Sequence, residues 1–173
     1  MLDELGSPGL RLSSLNEFKP LFRPDGQGTP FATRAAYSEL ALSGVTTVVD
    51  LSVPYESWLD LVEQSGLRVV VAPMYRSACW FTKTGYSVEY EWAHDDGRGV
   101  MDEALKVLDA AIAHPCGRLS GMVAPAQIDT CSAELIQNSF AEAQSRGLRT
   151  QIHAAQSMVE FNEITTRPER TPN

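Results

Sequence analysis

The chain has 173 residues, enough for one sizeable core, and its 43% hydrophobic and 21% charged residues are ordinary for a globular domain. A formal net charge of −8 argues against a polyanionic partner, so no nucleic acid is expected. No apolar run approaches the roughly 18 residues of a membrane span, Met1–Gly6 lacks the basic and apolar start of a secretory signal, and the three cysteines form no CxxC pair; the expectation is a cytoplasmic, reduced chain with no membrane partner, no disulfide scaffold and no structural zinc cluster.

Residues 1–28 read as a loop-like lead-in, with Ser7-Pro-Gly, Lys19-Pro and Arg23-Pro-Asp-Gly as turn signals. Thr29 is placed to cap a first helix, with Pro30 in the first position, where a missing N–H costs nothing. That helix runs to about Leu42, and Gly44 supplies its left-handed stop. Val45-Thr-Thr-Val-Val is continuously β-branched, as expected of a strand covered on both faces. Ser52 and Pro54 open a second helix through Trp58, Leu59, Leu61 and Val62, which ends at Gly66 before the apolar strand 67–72. Residues 75–99 then make a connection long enough to signal a functional loop. It carries Tyr75, Trp80, Phe81, Tyr86, Tyr90 and Trp92, and reads equally well as a self-packed Ω-loop or as an aromatic wall over a flat substrate.

A third helix near 101–113 places Leu105, Val107, Leu108, Ala111 and Ile112 on one apolar face, and Gly117 leads from it into a strand at 118–124. Asp129, Thr130 and Ser132 supply capping material for a helix over 133–145, and Gly147 precedes a last strand at 148–153. A final helix begins near Ser157 and fades before Pro168. Four times, therefore, a helix gives way to a glycine and then to a β-rich segment. That alternation specifies parallel α/β architecture, in which the carboxyl ends of the strands hold the chemistry. His153 sits at one such end.

Four strands can form a small open sheet but cannot close a (β/α)8 barrel, which takes eight strands and roughly 250 residues. As part of a barrel the chain would have two bare edges that invite self-pairing, so a homo-oligomer is expected. The run 167–173 reads as a chain stopped inside a connection, and residues 1–173 as a single domain that is a fragment of such a barrel.

Three segments carry a resemblance: Ser43-Gly-Val-Thr-Thr-Val-Val-Asp-Leu, Met122-Val-Ala-Pro-Ala-Gln-Ile-Asp-Thr-Cys-Ser and Leu148-Arg-Thr-Gln-Ile-His-Ala-Ala-Gln. In order and spacing they resemble the metal-dependent amidohydrolase superfamily, in its cytosine deaminase-like and triazine- or purine-deaminase-like branch, from about residue 29 to Pro172. The resemblance implies a partial (β/α)8 TIM-type barrel whose four parallel strands match strands two to five. It implies that His153 is a metal ligand at the end of the fifth strand, with zinc or iron activating water for attack on a C–N bond of a small cyclic amidine or amide, as in an N-heterocycle deaminase. The superfamily's other ligands (a His-x-His pair, a further histidine and an aspartate) have no counterpart in this sequence, so the chain alone is expected to lack a complete site.

Two positions depart from the superfamily pattern. Relatives often carry a glutamate proton shuttle three residues after the fifth-strand histidine, where this chain has Gln156, which cannot exchange a proton near neutral pH. A histidine that faces substrate after the Ala-Pro of the fourth strand is replaced by Ala126 and Gln127. Gln156 is thus the candidate catalytic position, Gln127 and Trp80 the candidate substrate contacts, and Asp129 and Glu160 the nearest acids. Each also has a plainer reading: Gln156, Asp129 and Thr130 as helix caps, Asp50 as a turn residue, His94 as a loop residue, His114 as a helix-end residue and Cys131 as a small buried residue. The rival whole-chain readings are a small-molecule-binding α/β module without turnover and a degenerate amidohydrolase remnant.

Overall fold

The structure is a computed structural model that describes residues 25–81, 83 and 88–167. Tyr86, the turn signals before Asp25 and the chain after Arg167 lie outside the described residues. In chain order the elements are α1 (Gly28–Leu42), β1 (Thr47–Ser52), α2 (Trp58–Gln64), β2 (Arg68–Tyr75), β3 (Ala78–Phe81), β4 (Glu89–Trp92), α3 (Arg98–Ile112), β5 (Leu119–Gly121), β6 (Ala124–Pro125), α4 (Ala133–Arg146) and α5 (Met158–Thr166). The four glycines that the sequence marks as helix stops, Gly44, Gly66, Gly117 and Gly147, all have positive φ.

β1 pairs in parallel with β2 from Thr47↔Arg68 to Ser52↔Pro73. On the other side of β2 lie β5 and β6, which keep one register (Val69↔Leu119, Met74↔Ala124) and so form one strand interrupted at Met122–Val123. The segment 148–153 adds a fourth rung, reduced to two parallel bridges, Val123↔Thr150 and Gln127↔His153. Gln127 lies four positions after Val123 but His153 only three after Thr150, so the β6 side carries one extra residue. Such a bulge breaks the ladder, which is why the expected strand 148–153 survives only as bridges. The rungs follow one another in sequence order without a switch point. β3 and β4 form a separate antiparallel hairpin inside the 75–99 connection.

One face of the sheet is covered by helices. Val69 and Val71 of β2 pack with Tyr37 of α1, Trp58 and Val62 of α2, and Ala111 of α3. Tyr75 and Val123 pack with Met101, Leu105 and Leu108 of α3 and Leu135 of α4. α3 lies so close to β5 that a Cβ at Gly121 would stand 2.3 Å from Leu108 Cδ1. The opposite face is more open: Val49 of β1 is 45% exposed. That corrects the expectation of a β1 covered on both sides. Its β-branched run fits a strand in a parallel sheet, but the helices among the described residues cover one face.

Two helix starts also differ from expectation. α1 follows Gln27, which makes no side-chain cap; the Asp25 carboxylate accepts from Gly28 N at 2.6 Å, and Thr29, inside the helix, donates Oγ1 to the Asp25 carbonyl. α4 is capped by Ser132, whose Oγ accepts from Leu135 N at 2.9 Å; Asp129 and Thr130 do not cap it. No helix among the described residues is long and apolar enough to cross a membrane.

Candidate active site

The carboxyl ends of the four rungs carry Ser52, Tyr75, Pro125 and His153. The β6 bulge places Gln127 opposite His153, locked by Ile128 N donating to the His153 carbonyl (3.0 Å) and His153 N donating to the Ala126 carbonyl (3.1 Å). The half-buried imidazole puts Nδ1 2.7 Å from that same Ala126 oxygen. A carbonyl only accepts, so Nδ1 carries a proton, and in the neutral ring Nε2 is then the nitrogen with the lone pair.

Gln127 is 3% exposed, and its Oε1 accepts from Thr130 Oγ1 at 2.8 Å. The contact fixes the amide by its oxygen. Gln156 is half-buried three residues beyond His153, and its backbone N–H, with that of Ala155, donates to the Glu160 carboxylate. Ser157 Oγ accepts from Glu160 N at 3.2 Å and so caps α5, while the Glu160 carboxylate holds the two backbone N–H groups that precede that cap. Glu160 therefore holds backbone rather than offering a free acid.

The aromatic hairpin folds onto the turn that follows β6. Trp80, 4% exposed, donates its indole N–H to Asp129 Oδ2 at 2.9 Å, and the Tyr90 hydroxyl donates to the same oxygen at 2.9 Å. Burial and the neighbouring Asp129 carboxylate raise the Tyr90 phenol far above its usual range. Trp80 is thus the inner anchor of the hairpin. Tyr90 and Trp92 stack on each other, and the Arg167 guanidinium lies 4.9 Å from the centre of the Trp92 ring. Arg167 also donates to the backbone carbonyls of Cys131 and Asp129.

At the other end of the sheet Asp50 accepts from Tyr37, from Trp58 Nε1 (2.9 Å) and from Ser52 Oγ (2.5 Å). This corrects the turn reading of Asp50: it ties α1 and α2 to β1. Cys131 is fully buried, and burial pushes its thiol up, the opposite of a nucleophile's need. His94 is exposed, and His114 lies beyond α3 with Nδ1 accepting from Cys116 N.

Sequence reasoning gave Asp129 a place as a nearby acid or a helix cap, Tyr90 only a share in the aromatic loop, and Arg167 no role of its own. The one available signal was an acid inside the otherwise neutral run 122–132, because an acid between apolar strand and helix needs a reason to be there.

No protein-family profile matches the sequence. The chain is 23% identical over 150 residues to the 5-methylthioadenosine/S-adenosylhomocysteine deaminase 2 of Archaeoglobus fulgidus, covering 87% of this chain and 33% of that protein. It is 28% identical over 141 residues to the 5′-deoxyadenosine deaminase of Methanosphaera stadtmanae, covering 81% and 30%. Among solved structures it superposes on a triazine hydrolase from Arthrobacter aurescens with a TM-score of 0.52 at 18% identity, over 82% of this chain and 30% of that one. A mutant atrazine chlorohydrolase of the same species, complexed with zinc and atraton, gives 0.50 at 18%, over 83% and 30%.

The chain thus resembles, at a distance, two deaminases in sequence and two triazine-type hydrolases in fold, as proteins of the amidohydrolase superfamily do. It spans about a third of the length of the curated relatives it matches. Its four parallel rungs and intervening helices are a segment of the (β/α)8 architecture. A metal-ligating imidazole commonly donates its other nitrogen to a carbonyl, and the His153 ring has that arrangement. Among the described residues no three His, Cys, Asp or Glu side chains gather into a metal-binding group. The amidohydrolase-like segment thus presents one nitrogen donor rather than a closed set.

Proposed function

We propose that this chain carries the central strands of a metal-dependent hydrolase acting on a C–N bond of a small cyclic amidine or amide, such as an N-heterocycle deaminase. The observation that carries the reading is the His153 ring, pinned through Nδ1 to Ala126 beside Gln127, with Nε2 left as a ligand. A divalent metal, zinc or iron, supplies an activated water when bound. The curated relatives, both named as deaminases of adenosine derivatives, support the substrate class, and the zinc complex of the atrazine chlorohydrolase supports the metal.

In this reading the chain's own residues mainly orient. The Gln127 amide nitrogen donates to substrate while Thr130 holds its oxygen. Gln156 stands where a proton shuttle would stand and contributes hydrogen bonds in place of proton exchange. Trp80 supports the substrate-side wall from beneath, through Asp129. Neither nearby acid is uncommitted, since Glu160 holds the backbone that precedes α5 and Asp129 anchors the hairpin. We place the whole of 1–173 in a single domain, self-associated through the open sheet face.

The test is zinc titration of the protein followed by nitrogen NMR of the imidazoles. Zinc is expected to shift Nε2 of His153 and leave its Nδ1–H in place, and His153→Ala is expected to abolish the zinc response together with any zinc-dependent ammonia release from 5′-deoxyadenosine. An unchanged His153 spectrum at saturating zinc would refute the assignment.

A further inference from the structure

Among the described residues three that are not glycine have positive φ: Ser57, Asp96 and Ala155, the last at +57°. Serine and aspartate carry short polar side chains that ease the left-handed conformation by local hydrogen bonds. Alanine has no such group, so something outside Ala155 holds it there. The holder is Glu160. Its Oε1 accepts from Ala155 N and its Oε2 from Gln156 N at 3.2 Å, and the residue is 4% exposed. Two successive N–H groups turned toward one carboxylate form the concavity that a left-handed residue creates for an anion, and this chain fills it with its own side chain. Glu160 is in turn fixed at the start of α5, because its backbone N–H donates to Ser157 Oγ at 3.2 Å. His153 belongs to a different frame. Its N–H donates to the Ala126 carbonyl and its carbonyl accepts from Ile128 N, so the sheet holds it. Only Ala154 and Ala155, both exposed, lie between His153 and Gln156.

We infer that Glu160 is a positioning residue: through the left-handed turn at Ala155 it fixes where the Gln156 side chain leaves the backbone relative to the His153 ring. The inference rests on the hydrolase reading above for what Gln156 does; where Gln156 stands depends on the turn. Alanine in this conformation carries a cost that glycine would not. The two bonds to the carboxylate offset that cost, and both are lost if the turn relaxes. A relaxed turn leaves the imidazole in place and carries Gln156 away from it, because the sheet, and not Glu160, holds His153.

The experiment follows amide exchange and the nitrogen NMR signals of Gln156 and His153 in the metal-free full chain. In the wild type the Ala155 and Gln156 N–H groups are expected to exchange at least about a hundredfold more slowly than in an unfolded chain, although Ala155 is exposed. Glu160→Gln keeps one acceptor oxygen and sets an amide donor against a backbone donor. It is expected to lower that protection at least about tenfold, to shift the Gln156 side-chain amide signals and to leave the His153 Nδ1–H signal in place. Adding Ala155→Gly removes the need for the carboxylate, so the double variant is expected to return the Gln156 signals toward their wild-type positions. A carboxylate that only steadied the start of α5 would give no such rescue, since a glycine in the turn does nothing for the helix. Unmoved Gln156 signals in Glu160→Gln, loss of the His153 Nδ1–H signal along with them, or a double variant no closer to wild type than the single one overturns the inference. If near-ultraviolet circular dichroism shows Glu160→Gln to be misfolded, the wild-type exchange rates decide: protected amides support the inference and unprotected ones overturn it. A zinc response at His153 with Gln156 unmoved in Glu160→Gln leaves the hydrolase reading standing and removes the positioning role. The converse result, a displaced Gln156 without a zinc response in the wild type, removes the metal site and keeps the positioning role.

Discussion

A histidine at the end of a strand is ordinary; a histidine whose ring is fixed by the carbonyl of a neighbouring rung is a prepared ligand. The Ala126 carbonyl does this for His153, and a bulge of one residue brings that carbonyl into place. Tyr75 shows the same dependence on distant partners. Its hydroxyl donates to Ser139 Oγ at 2.6 Å, Ser139 passes the bond to the Leu135 carbonyl, and burial pushes the phenol up to about 12. A raised folded-state value means the folded chain keeps a proton that the unfolded chain loses above about 10. Stability from this group is therefore complete below pH 10 and falls away as pH rises through 12, by about 3 kcal/mol in all. Urea denaturation between pH 9 and 12 checks this. Tyr75→Phe is expected to start less stable and to show a shallower alkaline decline, and an identical slope would rule out the Tyr75 contribution. Residues such as Asp129 were misread from sequence for a plain reason: its partners Trp80 and Tyr90 lie 49 and 39 positions away.

At the level of elements, the glycine stops and apolar helix faces were legible because each rests on local backbone and periodicity. Strand extent was less so, because a ladder exists only where the neighbour's register continues; the segment 148–153 meets a bulge and loses all but two bridges. Helix starts divide the same way. Ser132 as the cap of α4 and Ser157 as the cap of α5 follow from side chains within one turn, whereas Thr29 lies inside α1, where its hydroxyl donates to the Asp25 carbonyl and the Asp25 carboxylate accepts from Gly28 N. Ser132 also donates to Asp96, just before α3, and its backbone N–H donates to Ser77 Oγ at 3.0 Å. Removing the hydroxyl should therefore loosen both the helix start and the base of the aromatic hairpin. Ser132→Ala is expected to cost about 2 kcal/mol, lowering the thermal midpoint by roughly 4–8 °C for a chain of this size. A calorimetric midpoint within 1 °C of wild type would contradict that role.

For the whole molecule, the decisive fact is asymmetry. Helices cover one face of the sheet, while Val49 on the other is 45% exposed, and Phe161 and Met158 near the edge rung are 59% and 66% exposed. Exposed apolar surface of this kind, beside a short edge rung, favours pairing with another chain. Sedimentation equilibrium is expected to show reversible self-association at micromolar concentration, weakened by Val49→Lys; a monomer that persists at high concentration would argue for a self-sufficient open sheet.

The sequence by itself determined the alternation of helix, glycine and strand, the parallel class and the placing of His153 at a rung's end, because these rest on backbone conformation and short-range periodicity. Only the tertiary structure decided which atoms meet at that end. The pairing of Gln127 with His153, the lone pair left on Nε2, and the gathering of Trp80, Tyr90 and Arg167 around Asp129 all depend on register and on contacts between residues far apart in the chain. Local sequence encodes conformation, whereas the direction of a hydrogen bond is settled only when the partner arrives.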